Sequence, residues 1–339
     1  LRAHRLVDAA RPDLAEQAGR ILAPIEADLA ATEALLSSRL ASDVPFIRKT
    51  GEYVFAGGGK RMRPALLLLC ARLLRRDPEE AVTYAAVVEL IHTATLIHDD
   101  IIDHADLRRG RRTVHSVWGS NLTVLLGDWL YTTGMKLALA HDNLRVIDLL
   151  CDATLRMTEG ELLVLQRLGD PGLTEEEYLE IIERKTAHLF SAACAVPALM
   201  KPADERAFAA LRRYGRSLGL CFQLVDDLLD YTAREDELGK PVLSDLKEGK
   251  LTLPLLLAMP RLDPAGRRKV ECVLEDRAFT RATPEEILEL VRREGTLEEV
   301  LALARRHADD ARATLAGLPD GDERRALELA PEYVLHRKA

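Results

Sequence analysis

Apolar residues recur along this chain at intervals of three and four, and alternating runs of β-branched residues are scarce, which predicts helices rather than strands. Helix starts are frequent. Asp77-Pro78-Glu79-Glu80 offers a cap, a proline at the first helical position and a returning glutamate, and Thr283-Pro284-Glu285-Glu286 repeats that grammar. Thr174 with Glu177, and Thr296 with Glu299, predict two further capping boxes, in which hydroxyl and carboxylate each satisfy an orphan backbone N–H. Two segments, Val82–His98 and Gly215–Asp230, are apolar on nearly every side. Such helices belong in the middle of a large bundle. Gly215 and Gly219 would let a neighbouring backbone approach closely, whereas Asp263–Ala339 is charge-dense and amphipathic, as an outer layer should be. No linker rich in Ser, Gly or Pro divides residues 1–339, and no repeat is present. The expectation is one all-α domain. Its two long connections, His104–Ser120 and Ala233–Thr252, each follow a cluster of carboxylates.

The 339 residues are 47% hydrophobic and 30% charged, a globular composition. With 55 acidic against 47 basic residues the net charge is −8, which argues against general nucleic-acid binding. Five cysteines, Cys70, Cys151, Cys194, Cys221 and Cys272, form no CxxC pair. That argues against a thiolate zinc site and a disulfide framework, and fits a reducing, cytoplasmic compartment. No uninterrupted apolar run reaches 18 residues, so no transmembrane segment is expected.

The carboxylate clusters carry the candidate chemistry. Asp99, Asp100 and Asp103 form DDIID; Asp226, Asp227 and Asp230 form DDLLD. On a helix, Asp99 and Asp103 share a face, as do Asp226 and Asp230. Three carboxylates at a helix C-terminal end oppose its dipole and repel each other. One such motif could be a solvated helix end. Two copies of the same spacing, each closing an apolar helix, point to a cation. Oxygen ligands without His or Cys suit Mg²⁺ or Mn²⁺ sharing its shell with substrate phosphates. Gly57-Gly58-Gly59-Lys60-Arg61-Met62-Arg63-Pro64 and Arg108-Arg109-Gly110-Arg111-Arg112 supply cations for those phosphates, although the first lacks the Walker A pattern. Glu89-Leu90-Ile91-His92 is half of a di-iron signature, but no second Glu-x-x-His accompanies it on an apolar helix.

GGGKRMRP at 57–64, HTATLIHDDIIDHADLRRGRRT at 92–113, KTAHLF at 185–190, FQLVDDLLDY at 222–231 and GKPVLSDLKEGKLTLP at 239–254 together make the chain resemble the trans-isoprenyl diphosphate synthase (polyprenyl synthetase) family. The resemblance implies a helical bundle around a deep central cavity, a homodimer, and Mg²⁺-dependent elongation of an allylic diphosphate by isopentenyl diphosphate. It implies that Asp99 and Asp103 ligate Mg²⁺ from one wall, with Asp100 in the same cluster. Asp226 would do so from the other, with Asp227 and Asp230 acting through water. Arg108, Lys185, Thr186, Gln223 and Lys240 would hold the allylic diphosphate. Gly59, Lys60, Arg63, His92 and Arg109 would hold isopentenyl diphosphate. Asp99, Asp103, Asp226, Lys185 and Lys240 would carry catalysis, and product release would involve peripheral membrane contact.

Short-chain members of that family carry an aromatic residue four or five positions before the first aspartate. Here Thr95 and Ala94 stand there, above Ile91, so the resemblance implies an open tunnel and an octaprenyl to decaprenyl product for a quinone tail. A geranylgeranyl or farnesyl product is the alternative. In EGELLVLQRLGD, Val164 stands where many long-chain relatives have glutamine, and Gln166 falls two places later. A non-catalytic partner subunit would lack one cluster or its cations. A class I terpene cyclase would replace the second DDxxD with an Asn/Ser/Glu motif. Neither departure occurs here.

Overall fold

The computed structural model describes residues 14–56, 61–108, 110–233 and 242–337. Its helices begin largely where the capping signals stand. Asp77 accepts from the Glu80 N–H with Pro78 at the first helical position, and Thr174 and Thr283 close reciprocal boxes with Glu177 and Glu286. Thr296 does not. Gly295 caps that helix in the left-handed region, at φ 69°, and the Thr296 hydroxyl donates to the Pro254 carbonyl at 2.7 Å. Glycine reaches that conformation freely, so the hydroxyl is left for a tertiary contact.

In chain order the helices are α1 (Leu14–Leu22), α2 (Glu26–Arg39), α3 (Pro45–Ala56), α4 (Met62–Leu73) and α5 (Pro78–Ile102). A hairpin of two-residue strands, β1 (Leu107–Arg108) and β2 (Arg111–Arg112), precedes α6 (Val114–Trp118), α7 (Ser120–Ala138), α8 (Leu144–Gln166) and α9 (Glu175–Ile182). A π-helical turn, Glu183–Ala187, leads into α10 (His188–Leu199) and α11 (Glu205–Thr232). The chain continues as α12 (Ser244–Lys247), α13 (Leu253–Ala258), α14 (Pro264–Asp276), α15 (Pro284–Glu294), α16 (Thr296–Thr314) and α17 (Asp322–His336).

The two apolar segments are central, as their composition requires. On α5, Val87, Val88, Leu90 and Ile91 are wholly buried, as are Leu218, Cys221 and Leu224 on α11; α10, between them in the core, is buried from Leu189 to Leu199. By length and composition α5 could cross a membrane, yet 72% of its apolar window is buried inside the molecule. Helix α11 lies tightly on α10. A Cβ at Gly215 would fall 2.4 Å from the Phe190 carbonyl oxygen, and one at Gly219 would fall 2.6 Å from the Ala187 Cα. Outside this layer α16 buries Val300, Ala304, Ala308 and Ala311, and the Tyr214 hydroxyl donates to Leu327 of α17 at 2.6 Å. One continuous set of buried residues runs from Ile21 to Val334.

Candidate active site

Helix α5 delivers the first cluster at its C-terminal end, where Asp103 is the cap residue. Asp99 and Asp103 remain partly open, each 20% exposed. The Lys185 ammonium lies 4.0 Å from Asp99, and Lys250 donates to Asp103 at 2.9 Å and to Glu248 at 2.8 Å. Burial pushes the Asp99 carboxyl up to about 6. Lys185 opposes that rise, while Glu161 and Asp103 add to it. Burial alone would lower the Lys250 ammonium, but Asp103 and Glu248 hold it above its ordinary value. Asp100 points into the protein and accepts from Arg108 Nε at 2.6 Å.

Helix α11 brings the second cluster and divides it similarly. Asp226 is 55% exposed. Asp227 is buried and accepts from the Tyr178 hydroxyl and from Gln223 Nε2, the latter at 2.8 Å. Burial pushes its carboxyl up to about 8; nearby Asp245 adds to the rise and the two hydrogen bonds oppose it. Asp230 accepts from Ser244 Oγ at 2.9 Å and from the backbone N–H groups of Ser244 and Asp245. The six carboxylates of the expected metal set thus divide into an open three and a buried three. Asp99, Asp103 and Asp226 keep open surface beside Lys185, Lys250 and Arg337, whereas Asp100, Asp227 and Asp230 are buried among protein donors. The i,i+4 spacing places carboxylates on a face but does not say which ones meet donors from other elements.

The π-helical turn joins the two walls. Lys185 reaches Asp99, and the adjacent Thr186 donates to Gln223 at 2.8 Å, which in turn donates to Asp227. Single π turns inside helices often mark functional positions. On the second wall, the segment that begins at Ser244 carries Lys250 back to Asp103.

The basic groups separate by role. Arg61 pairs with Glu33 at 2.5 Å and Glu89 at 2.6 Å, which also engages the glutamate of the di-iron half-motif. Arg63 Nη1 donates to His92 Nε2 at 3.1 Å, and its guanidinium lies 4.3 Å from the Phe190 ring centre. Burial pushes Arg63 down to about 10; Glu89 opposes this and Arg337 adds to it. Gly59, Lys60, Arg109 and Lys240 lie outside the described residues.

Arg337 is the group that the sequence reading missed. It is buried, donates to Asp226 at 2.5 Å and lies 3.8 Å from the Phe222 ring centre. Phe222 and Phe190 are themselves 5.2 Å apart. Among the described residues, neither Arg63 Nε nor Arg337 Nε meets a hydrogen-bond acceptor. Two buried guanidiniums with idle donors on one aromatic pair suit an anion. The one available signal was a basic residue in the tail, 111 positions from its partner.

Of the positions expected to line a tunnel, Ala94 is 2% exposed, Ile91 is fully buried, and Thr95 is half-buried with its hydroxyl on the His92 carbonyl. Among the described residues, no three His, Cys, Asp or Glu groups form a ready-made metal cage. Open carboxylates on two walls fit a hard cation that completes its shell with water and phosphate.

The Polyprenyl synthetase family model matches residues 44–291. The chain is 41% identical over 300 residues to the octaprenyl diphosphate synthase of Escherichia coli (strain K12), covering 88% of this chain and 93% of that one. A polyprenyl synthase from Caulobacter crescentus CB15, solved in complex with calcium and isoprenyl diphosphate, matches with a TM-score of 0.91 and 41% identity over 95% of this chain and 98% of that chain. A decaprenyl diphosphate synthase from Rhodobacter capsulatus matches with a TM-score of 0.88 and 38% identity over 94% and 98%. With an all-α fold and prenyltransferase relatives across nearly its whole length, the chain belongs to the polyprenyl synthetase family and is a prenyltransferase.

Proposed function

We propose that this chain condenses isopentenyl diphosphate with an allylic diphosphate, repeatedly, to make a long all-trans polyprenyl diphosphate of octaprenyl to decaprenyl length. The observation that carries the reading is the π turn, whose neighbouring Lys185 and Thr186 are linked to opposite aspartate clusters. Asp99, Asp103 and Asp226 are the residues to hold Mg²⁺, with Mn²⁺ as substitute. When bound, Mg²⁺ supplies Lewis-acid stabilisation of the departing diphosphate, worth several kcal/mol. Arg108, Lys185, Thr186 and Gln223 hold the allylic diphosphate, with Lys240 added by resemblance. The allylic C–O bond breaks and its electron pair leaves with the diphosphate. The isopentenyl double bond attacks the resulting cation, and the released diphosphate takes the proton. Arg63, His92 and the buried Arg337 orient the second diphosphate, with Gly59, Lys60 and Arg109 added by resemblance. Apolar walls keep water from the cation.

Small side chains at Ala94 and Thr95 support the long product, and the long-chain relatives agree with it. A quinone tail is the destination we assign to it. The whole chain acts as one domain in this reading. A homodimer is supported by the number of large apolar side chains left exposed on α7 and α8, among them Leu125 at 63%, Leu155 at 56% and Leu162 at 55%, which a second copy would cover. Peripheral membrane contact would then serve release of the long product. Five unpaired cysteines, four of them buried, support a cytoplasmic location.

The deciding experiment is incubation with labelled isopentenyl diphosphate, farnesyl diphosphate and Mg²⁺, followed by sizing of the dephosphorylated products. Chains of eight to ten isoprene units are expected. Termination at geranylgeranyl length would establish the shorter-chain reading, which a 36% identical short chain isoprenyl diphosphate synthase from Methanothermobacter thermautotrophicus keeps in view.

A further inference from the structure

Glu161 lies mostly covered beside the first aspartate cluster, and the mechanism above gives it no role. It follows Gly160 on α8, where the helix reaches the π turn so closely that a Cβ at Gly160 would lie 2.6 Å from the Lys185 backbone nitrogen. Flanking residues grip successive side chains of that turn: Glu159 pairs with Arg184, and Glu161 Oε2 lies against the Lys185 ammonium. The Glu161 side chain is only 12% exposed. Its Oε2 is thus ion-paired, and among the described residues its Oε1 meets no hydrogen-bond donor. Buried carboxylate oxygens ordinarily find donors.

Lys185 also lies 4.0 Å from Asp99, the carboxylate assigned to a divalent cation. An ammonium and a divalent cation beside one carboxylate repel each other, and partial burial strengthens that repulsion. A second anion on the ammonium removes the conflict. We infer that Glu161 is the counter-charge that lets Lys185 and a hydrated divalent cation share Asp99, with the lone pairs of its Oε1 available to water bound to that cation. Glu161 is thus a positioning residue, acting through Lys185 and the cation's hydration shell. The inference rests on the reading of Asp99 as a metal ligand.

The test is Mn²⁺ binding by the full chain in the presence of inorganic diphosphate, read from the loss of the free-Mn²⁺ electron paramagnetic resonance signal. Wild type, Glu161→Gln, Glu161→Asp and Asp99→Asn are compared, with thermal unfolding of each. Removing an outer partner of a metal site weakens affinity roughly tenfold or more. Glu161→Gln should show that loss, Glu161→Asp should recover part of it, and the Mg²⁺ concentration for half-maximal turnover should rise in parallel. Unchanged Mn²⁺ affinity in Glu161→Gln, with loss in Asp99→Asn, overturns the inference and leaves the Asp99 reading standing. A change in unfolding temperature alone, without change in Mn²⁺ affinity, also overturns it, because Glu161 would then only neutralise Lys185. Unchanged affinity in Asp99→Asn removes both readings together. If Glu161→Gln fails to fold, Glu161→Asp decides: weaker Mn²⁺ binding supports the role and unaltered binding refutes it.

Discussion

Replacing Gly160 with alanine asks whether the geometry of the π turn matters to the chemistry. The new Cβ would lie 2.6 Å from the Lys185 backbone nitrogen and 2.9 Å from Arg184 Cβ, roughly 1 Å inside van der Waals contact. Neither neighbour is the tip of a flexible side chain, so α8 and the π turn must separate. Overpacking of this kind costs about 1–3 kcal/mol of stability. The larger effect is on turnover, because Lys185 and Thr186 shift relative to Asp99 and Gln223. A misplacement of about 1 Å lowers turnover on the order of 10²-fold. The assay is kcat at saturating Mg²⁺ and both diphosphates, with thermal unfolding measured alongside. Gly19→Ala is the control: nothing lies within 4 Å of that position on α1, so turnover should hold while stability rises by up to about 1 kcal/mol. A Gly160→Ala protein with wild-type kcat would refute the claim that the π turn sets the catalytic distances.

Other perturbations separate the remaining parts of the site. Ala94 lies about 7.5 Å along the α5 axis from Asp99, so Ala94→Phe should shorten the product by several isoprene units; an unaltered size distribution would place the floor elsewhere. Asp227 titrates at about 8 in the folded chain and near 4 when unfolded. Between those values the folded state keeps a proton that the unfolded state has lost, so stability from this group falls as pH rises from about 4 to 8. Asp227→Asn should flatten that decline in urea titrations of the metal-free protein, and an undiminished slope would assign it to other groups. Arg337→Met releases Asp226 from its counter-ion. Arg337 is buried but Asp226 is 55% exposed, so solvent screens the pair and, at saturating isopentenyl diphosphate, the Mg²⁺ needed for half-maximal turnover should fall roughly two- to fivefold; a rise would count against Asp226 as a ligand.

Sequence pattern revealed the helical class because its signals are local. Asp77, Thr174 and Thr283 meet partners three residues away, and α5 declares its central place by being apolar all round. The aspartate clusters were legible for the same reason. Their division was not, since the donors that engage Asp100, Asp227 and Asp230 come from Arg108, Tyr178 and Ser244, on other elements. Thr296 shows the same limit at a helix start: a local partner stood at Glu299, and the hydroxyl instead reached Pro254 across the fold. Arg337 fell within the charge-dense outer layer because the partners of its side chain, Asp226 and Phe222, are more than a hundred residues away. The π turn at Glu183–Ala187 left no mark in the spacing of apolar residues, because its extra residue is accommodated by Gly160 and Gly219 on neighbouring helices.

The central claim is that both aspartate clusters serve one diphosphate through divalent cations, and the most direct measurement is a crystal structure with Mg²⁺ and an unreactive thiolodiphosphate analogue of the allylic substrate. The account predicts Mg²⁺ on Asp99 and Asp103 and on Asp226, the diphosphate between them within reach of Lys185, and Arg337 released from Asp226. A diphosphate bound away from the π turn, with Asp99 and Asp226 still on their lysine and arginine partners, would contradict it.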